Sequence, residues 1–297
     1  IPDGLGAFRI DGNTIRLLIN SEIGKDLGAT YSLNNGTQLT GARINYIDLN
    51  NAGQVKGGGV AIQSVVDRFG VAVTDASQIS GDAGTLNGFT RFCAANLAEA
   101  NIFGTGKGFA DRILLMGEES ASVQKGLGGT FCALDVSTGT LYQLPDFGYG
   151  SWETGTIVDS GDSSKVAIFL GDDSTPSFPM LYVGTKSTAP GASFLEKNGL
   201  VGGKMYVFGG QELGWKSLGL VYEYDPVDDK WTKKKDMPLP THHAALAELN
   251  GKIIVAGGFI EPRAENKGNP PGWEPIDNVW EYDPRSDVWR ALPPLPS

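Results

Sequence analysis

Short apolar stretches separated by turn residues run along most of the chain. Four strand-like stretches lie between residues 6 and 67 and four more between 89 and 144. A third set begins in the segments TGTIVDS, KVAIFLGDD and PMLYVGTK. The separators, among them DGN, NNG, STG and SGD, favour tight turns. With no long amphipathic helical period in the sequence, this pattern predicts an all-β protein of many short strands.

The last hundred residues contain one pattern twice. The first copy reads GKMYVFGG, LVYEYDP and KWTKKKDMPLP, and the second reads GKIIVAGG, NVWEYDP and DVWRALPPLP. The second copy is longer because it carries the insertion EPRAENKGNPPGWEP, residues 261–275. The pattern resembles the kelch repeat, a unit of roughly 50 residues that forms one blade of a β-propeller.

The recurring residues of this pattern have predictable structural roles. Gly257 and Gly258 let the backbone turn tightly where a side chain would clash. Asp283 opens the turn into the outer strand. Trp231 and Trp289 are large apolar side chains that we expect to pack between neighbouring blades.

Two blades cannot close a ring, because propellers use about four to eight. The other blades must therefore come from residues 1–197. We predict a single β-propeller domain spanning residues 1–297, with three four-stranded blades in 1–197 and two kelch-like blades in 198–297. This gives five blades, or six if residues 67–90 or the N-terminal end contain another sheet.

Composition and charge exclude several functional classes. The formal net charge is −10 and the sequence pI is about 4.7. A nucleic-acid-binding protein normally shows a basic face, and this sequence shows none. No apolar stretch approaches the roughly 18 residues of a membrane-spanning helix. We therefore expect neither a nucleic-acid partner nor a membrane span.

A second resemblance covers residues 1–208. The segments IPDGLGAF, LLINSE, RFCAANL, GEES, GTFCALDVSTGTLY and SWETGTIVDSGDSSKVAIFLGDD occur in that order. This order resembles bacterial secreted propeller proteins related to the PhoX-type alkaline phosphatases. The resemblance implies a secreted protein, extracellular or periplasmic, with carboxylates that hold calcium and iron in a central channel.

Acidic residues at strand ends are the candidate metal ligands. They are Glu22, Glu118, Glu119, Glu153, Asp172 and Asp173. Calcium takes about six to eight oxygen ligands, which carboxylates from several strands can supply. Ser21 and Trp152 stand where the resembling family has histidines, which puts the iron site in doubt more than the calcium site. The alternative is that the acids are ordinary solvated loop residues.

The PhoX-type family also uses a cysteine to hold iron and an arginine to hold phosphate. Cys93 and Cys132 are the only cysteines, and they are either two core thiols or one disulfide bridge. Arg91 and Arg112 are candidates for the phosphate-binding arginine because they lie near the acidic motifs.

The C-terminal region offers a candidate binding loop. The insertion contains Arg263, Asn266 and Trp273, and long loops in compact domains are often functional. The only histidines, His242 and His243, are expected to pack or to form a hydrogen bond rather than to bind metal.

Three functions follow from these observations. The favoured one is a secreted calcium-binding propeller that binds a protein partner or associates with itself rather than catalysing a reaction. The alternative is a metal-dependent phosphoesterase of PhoX type that acts on phosphate esters. A copper oxidase is a weaker option, because copper favours histidine or thiolate ligands and the chain has few of either.

Overall fold

The computed structural model describes residues 2–82, 86–120, 126–174, 177–212, 216–226, 228, 230–261 and 272–296. The chain divides into two compact units. Unit one comprises residues 1–100 and 111–156, and unit two comprises residues 101–110 and 157–297. The predicted all-β class is confirmed, because the two helices among the described residues have four residues each. The single domain and the blade number stay predictions.

The strands of unit one are mostly five to ten residues long. They are β1 (Pro2–Asp11), β2 (Thr14–Ser21), β3 (Tyr31–Ser32), β4 (Gln38–Leu39), β5 (Ile44–Asn50), β6 (Val55–Val60), β7 (Ser64–Val66), β8 (Phe92–Ala98), β9 (Ile113–Glu118), β10 (Thr130–Asp135) and β11 (Thr140–Tyr149), with helix α1 (Ser77–Ser80) between β7 and β8. Strand β12 (Trp152–Val158) carries the chain from unit one into unit two.

Two large sheets form unit one. The first has the order β1-β2-β5-β6, and the second has the order β7-β11-β10-β9-β8. The first predicted set of four strands is thus confirmed, except that the stretch GVAIQSVVD is divided. Its first two residues end β6, and Ser64–Val66 form β7, which pairs in parallel with β11. Burial explains the division, because Val65 is buried in the second sheet while the glycine-rich β6 is an exposed edge.

Both sheets contribute apolar side chains to one core. Leu18 and Ile44 come from the first sheet, and Phe92, Leu114 and Leu141 come from the second. All five are almost fully buried. Burial of this kind is the main stabilising contribution to a domain without disulfides.

The strands of unit two are shorter. They are β13 (Lys165–Asp172), β14 (Met180–Thr185), β15 (Lys204–Phe208), β16 (Gln211–Glu212), β17 (Lys216–Ser217), β18 (Val221–Asp225), β19 (Lys230–Lys233), β20 (Ala245–Leu249), β21 (Lys252–Ala256), β22 (Phe259–Ile260), β23 (Glu274–Pro275), β24 (Val279–Asp283) and β25 (Val288–Leu292), with helix α2 (Phe194–Lys197) between β14 and β15.

The two kelch-like copies differ in how their strands are arranged. The second copy forms a separate four-stranded antiparallel sheet with the order β20-β21-β24-β25, as expected for a blade. In the first copy, β15, β18 and β19 continue a sheet that already contains β13 and β14. Strand β14 pairs with β13 on one side and with β15 on the other. The third predicted strand set and the first kelch copy therefore share a sheet.

Both Gly-Gly pairs adopt the tight turns that the repeat predicts. Gly209, Gly210, Gly257 and Gly258 all have positive φ angles, between 59° and 101°. A Cβ atom on Gly258 would lie 2.6 Å from the carbonyl oxygen of His242. Only glycine avoids both the backbone strain and the steric clash at such positions.

The two repeat tryptophans have different surroundings. The Trp289 ring lies 4.8 Å from Tyr282 in its own sheet and 6.0 Å from Phe208 in the neighbouring sheet of unit two, which confirms the predicted packing. Trp231 is 51 % exposed, and its ring centre lies 4.9 Å from that of Tyr224 in its own sheet. The prediction for Trp231 is wrong because all four residues of β19 are exposed.

Two further expectations can be compared with the described residues. No helix there is long and apolar enough to cross a bilayer. Cys93 and Cys132 are both buried free thiols, so the disulfide alternative is wrong.

Candidate functional site

Cys93, Glu119 and Glu153 form a compact group of possible metal ligands in unit one. One ligand atom from each, the thiol sulfur or a carboxylate oxygen, lies within 4.8 Å of the others. The Cys93 Sγ atom is 3.3 Å from Glu153 Oε2 and 3.3 Å from Asp3 Oδ2. Cys93 and Glu119 are buried, whereas Glu153 is exposed. We call these three residues the thiol–carboxylate group.

A close contact between two strands brings the two glutamates together. A Cβ atom on Gly117 would lie 2.2 Å from the Cβ atom of Trp152, so only glycine allows this approach. Glu119 also forms an isolated antiparallel bridge with Ser151. Because Glu119 follows Gly117 by two residues and Glu153 follows Trp152 directly, the contact places both carboxylates close together.

A second glycine brings Asp3 to the group. A Cβ atom on Gly4 would lie 2.2 Å from the backbone nitrogen of Ala95 in β8. Strand β1 can therefore cross β8 at close range. Asp3 directly precedes Gly4, and Cys93 lies two residues before Ala95. The side chains of Asp3 and Cys93 therefore meet at this crossing.

Arg91 joins the thiol–carboxylate group to Glu22. Its Nη2 atom lies 2.6 Å from Glu22 Oε1 and 2.7 Å from Glu119 Oε1. Its backbone N–H donates to the Ile23 carbonyl, and its carbonyl accepts from the Glu119 N–H, both at 2.8 Å. Arg91 has a φ of 43°, a left-handed conformation that is uncommon for a residue with a side chain.

The local electrostatics favour the protonated forms of Cys93 and Glu119. Burial raises the pKa of the Cys93 thiol, and the neighbouring Glu153 and Asp3 carboxylates raise it further. Burial also raises the pKa of Glu119, with a smaller opposing effect from Arg91. A protonated thiol can donate a hydrogen bond to either carboxylate, which relieves their mutual repulsion. A bound cation would relieve it in another way.

The spacing of the group is compatible with a single cation. Ligand atoms bound to one ion at about 2.0–2.6 Å lie no more than roughly 5 Å apart. The 4.8 Å limit of the group meets this condition. Calcium would use the carboxylate oxygens alone, whereas a thiolate ligand suits iron or zinc. Calcium and iron both stay predictions.

Glu118 faces away from this group. Its carboxylate is fully buried and accepts hydrogen bonds from the Thr90 N–H, the Thr130 N–H and the Thr130 hydroxyl. Successive residues of a strand point to opposite faces, so Glu118 and Glu119 cannot share one site. Burial raises the pKa of Glu118 despite these donors. This carboxylate holds neighbouring backbone segments together.

The remaining acidic candidates, Asp172 and Asp173, lie in unit two. Asp172 ends β13 and accepts a hydrogen bond from the Ser174 hydroxyl, and Asp173 is exposed. Arg112 is bound elsewhere in unit one, 2.7 Å from Glu99 and with its guanidinium 4.3 Å from the centre of the Phe8 ring. Of the two candidate arginines, Arg91 is therefore the one that contacts the predicted acidic residues.

Trp273 lies in an aromatic cluster of unit two. Its ring centre is 4.8 Å from that of His242, 5.4 Å from that of His243 and 6.0 Å from that of Phe259. We call these four residues the Trp273 cluster. Trp273 is half-buried and His243 is exposed, so the cluster reaches the surface. Arg263 and Asn266, the other predicted loop residues, lie outside the described residues.

The histidines of this cluster pack and share a hydrogen bond, as predicted. Their Nδ1 atoms are 2.6 Å apart. The His242 side chain is 1 % exposed, and burial lowers its pKa to about 4, with a further contribution from His243. His242 is therefore neutral at physiological pH.

Sequence reasoning placed Glu22, Glu119 and Glu153 among the candidates, and the structure brings all three together with Arg91. It did not identify Asp3, and it treated Cys93 as a core thiol. The glycines at 4 and 117 were the available signals, since a glycine inside a strand often marks a close backbone approach.

Comparisons with known proteins support the C-terminal interpretation. The family model described as Kelch motif matches residues 199–238 and 240–296. Kelch-like protein terF of Aspergillus terreus is 27 % identical over 65 % of the chain and 42 % of its own length. That match extends upstream of the residues covered by the family model.

Other relatives share shorter segments. F-box/kelch-repeat protein At1g22040 of Arabidopsis thaliana is 30 % identical over 33 % of the chain and 19 % of its own length. Beta-scruin of Limulus polyphemus is 28 % identical over 31 % of the chain and 10 % of its own length. The chain spans less than half the length of these relatives.

Among solved structures, one titled "Structure of YjhT" matches with a TM-score of 0.34 and 15 % identity, over 64 % of this chain and 65 % of that one. The PhoX-type resemblance of residues 1–208 stays a prediction. The family model and the kelch-named relatives together confirm that residues 199–296 contain kelch repeats.

Proposed function

We propose that this protein is a binding or assembly module and that the Trp273 cluster is part of its contact surface. One observation carries the proposal: a half-buried tryptophan from the inserted segment of a kelch repeat packs against an exposed histidine. Aromatic side chains of this kind provide much of the binding energy at protein interfaces. Relatives whose names describe them as kelch proteins support a binding role.

Site-specific photo-crosslinking tests this surface. A photoreactive phenylalanine replaces His243, and in a matched control it replaces Trp231, which is also exposed in unit two. One arm uses the purified protein alone, and the other adds a secreted-protein extract of the producing organism. We expect a discrete crosslinked product from position 243 and none from position 231. Equal or absent crosslinking at the two positions would contradict the proposed surface.

We further propose that the thiol–carboxylate group holds one cation and that the protein acts in a secreted setting. Cys93, Glu119 and Glu153 would bind the ion, with Asp3 as a neighbouring carboxylate. The proposal rests on the mutual spacing of the ligand atoms. A thiol donor favours iron or zinc, and calcium would bind through oxygen atoms only. The ion would stabilise unit one by neutralising crowded carboxylates.

Metal analysis of the purified protein tests the cation proposal. We expect about one bound ion per chain, lost in Glu119→Gln and Glu153→Gln and retained in Glu99→Gln. Glu99 is the control because its carboxylate pairs with Arg112 outside the group. A chelator should lower the melting temperature of the unchanged protein. Equal metal content in all variants would refute this site.

A metal-dependent phosphoesterase is the second candidate, and Arg91 is the observation that favours it. An arginine beside a cation site could bind phosphate with two parallel hydrogen bonds. However, both its Nε and its Nη2 atoms already donate to Glu22, at 3.1 and 2.6 Å. Phosphate would have to displace that carboxylate, so the geometry favours binding over catalysis.

Hydrolysis of an aryl phosphate distinguishes the two candidates. Turnover that is lost with a chelator and in Arg91→Gln would establish the phosphoesterase. An absence of turnover in protein shown to contain its metal would leave the binding role. Arg112→Gln is the matched control, because that arginine pairs with Glu99 instead of the candidate ligands.

A further inference from the structure

Arg43 is a largely buried arginine that has no charge partner among the described residues. The residue is 9 % exposed and directly precedes β5. Among the described residues its guanidinium makes no hydrogen bond and no ion pair. The Arg43 Cζ atom lies 5.1 Å from the centre of the Tyr31 ring. The guanidinium nitrogens reach solvent, so an incoming anion can contact this charge.

A cavity in unit one lies against this side chain. Its volume is about 300 Å³, and it is lined by Pro2, Ser21, Ile23, Ala29, Arg43 and Asn45. Pro2 and Ala29 are exposed, so the cavity opens to solvent. Such a volume is at the small end of the range for ligand pockets.

The polar groups beside Arg43 can also donate to a ligand. The Asn45 Nδ2 atom donates to the Ser21 hydroxyl oxygen at 3.0 Å. Within the described part of the chain, the Ser21 hydroxyl accepts this bond and donates none. Its proton is therefore available to a second acceptor. The Ser21 N–H donates to the Arg43 carbonyl at 2.9 Å, which fixes the two residues relative to each other.

The charged residues near Arg43 already have partners of their own. Glu22, the neighbour of Ser21, is paired with Arg91 at 2.6 Å. Lys25 is paired with Asp82 at 2.7 Å. Asp3, next to Pro2, accepts a hydrogen bond from the Cys93 thiol. An anion entering the cavity would therefore meet one positive charge that pairs with no carboxylate of the described residues.

We propose that this cavity binds a small monocarboxylate with a short apolar tail. The Arg43 guanidinium lies over the Tyr31 ring, and the N–H groups along its edge make no hydrogen bond within the described residues. A carboxylate matches that edge with two parallel hydrogen bonds. One arginine and one hydroxyl suit a single negative charge, and Pro2, Ile23 and Ala29 provide an apolar wall for the tail. The inference does not depend on the cation or contact-surface proposals.

Isothermal titration of the whole protein with sodium butyrate tests the inference. We expect one site, with at least roughly tenfold weaker binding in Arg43→Gln, because a charge-assisted bidentate contact is lost. The exposed Arg9 provides the matched control, and Arg9→Gln should bind as the unchanged protein does. Butylammonium should not bind, and inorganic phosphate should bind more weakly than butyrate. Every protein is used with its metal content unchanged, so the cation site contributes equally to all of them.

A second variant keeps the test decisive if Arg43→Gln fails to fold. Ala29→Leu changes an exposed position on the apolar wall. It should weaken butyrate binding while leaving acetate binding unchanged, since acetate has no tail. The inference is overturned if the unchanged protein binds no butyrate or if phosphate binds more tightly. It is also overturned if butyrate affinity is the same in a folded Arg43→Gln variant or in Ala29→Leu.

Discussion

At the residue scale, neighbouring positions in this chain perform opposite tasks. Glu119 points to the thiol–carboxylate group and pairs with Arg91, whereas Glu118 is buried under three hydrogen-bond donors. Both carboxyl groups have raised pKa values because burial penalises their charged forms. The adjacent Glu118 and Glu119 were both predicted to be metal ligands. Because neighbouring residues of a strand point to opposite faces, only Glu119 can belong to the thiol–carboxylate group.

The Cys93 thiol should be unreactive in the folded protein. Its pKa is raised by burial, Glu153 and Asp3, and the thiolate is the reactive form. In a Cys132→Ser variant, which contains Cys93 alone, we expect very slow reaction with Ellman's reagent at neutral pH and rapid reaction in denaturant. Fast labelling of the folded variant would contradict the proposed hydrogen bonds to Asp3 and Glu153.

His242 should make stability depend on pH between 6.5 and about 4. Above pH 6.5 both folded and unfolded states hold a neutral imidazole. Below it, the unfolded chain takes up a proton that the folded residue accepts only near pH 4, so stability falls as the pH falls.

Urea unfolding of the unchanged protein and of His242→Phe across this range isolates the effect. The phenylalanine ring can retain the packing against Phe259 and Trp273 but cannot titrate. The difference in the free energy of unfolding between the two proteins should change between pH 6.5 and about 4. His243 stays unchanged in both proteins, because it contributes to the lowered pKa of His242. A constant difference between the unchanged protein and His242→Phe would rule out the contribution.

At the scale of elements, repeated sequences form differently arranged sheets. The second kelch copy forms a separate four-stranded sheet, whereas strands of the first copy continue a sheet that contains β13 and β14. The tryptophans reflect the difference. Trp289 contacts Phe208 of the neighbouring sheet, while Trp231 lies on an exposed strand.

This difference predicts that truncating Trp289 and truncating Trp231 lower the free energy of unfolding by unequal amounts. Trp289→Ala should lower the free energy of unfolding by more than about 2 kcal/mol, because it removes packing between two sheets and leaves a cavity. Trp231→Ala should change it by less than about 1 kcal/mol, since half of its ring is already in water. Denaturant unfolding of both variants gives the comparison. Equal losses would mean that Trp289 does not connect the sheets energetically.

At the scale of the whole molecule, charge restricts the partners. The net charge of −10 gives little attraction for a phosphate backbone, whose binding depends on lysine and arginine contacts. We expect no saturable binding to a labelled DNA duplex by fluorescence anisotropy at low salt, with a basic protein of similar size as the positive control. Saturable binding that weakens with added salt would show a basic surface that the composition does not indicate.

The sequence by itself determined the all-β class, the position of most strands and the kelch repeats. These features depend on local turn chemistry and on short apolar stretches, which can be read without knowing what lies nearby. The glycine pairs were predictable for the same reason, because their positive φ angles are a local requirement.

Only the tertiary structure decided which side chains meet. Asp3 and Glu153 lie 150 residues apart in the sequence, yet both approach Cys93 because β1 crosses β8 at Gly4 and because Gly117 admits Trp152. The parallel pairing of β7 with β11 and the unpaired Arg43 also depend on contacts between distant segments. Such contacts depend on which faces of the sheets are buried together, and this is determined by the packing of the whole unit.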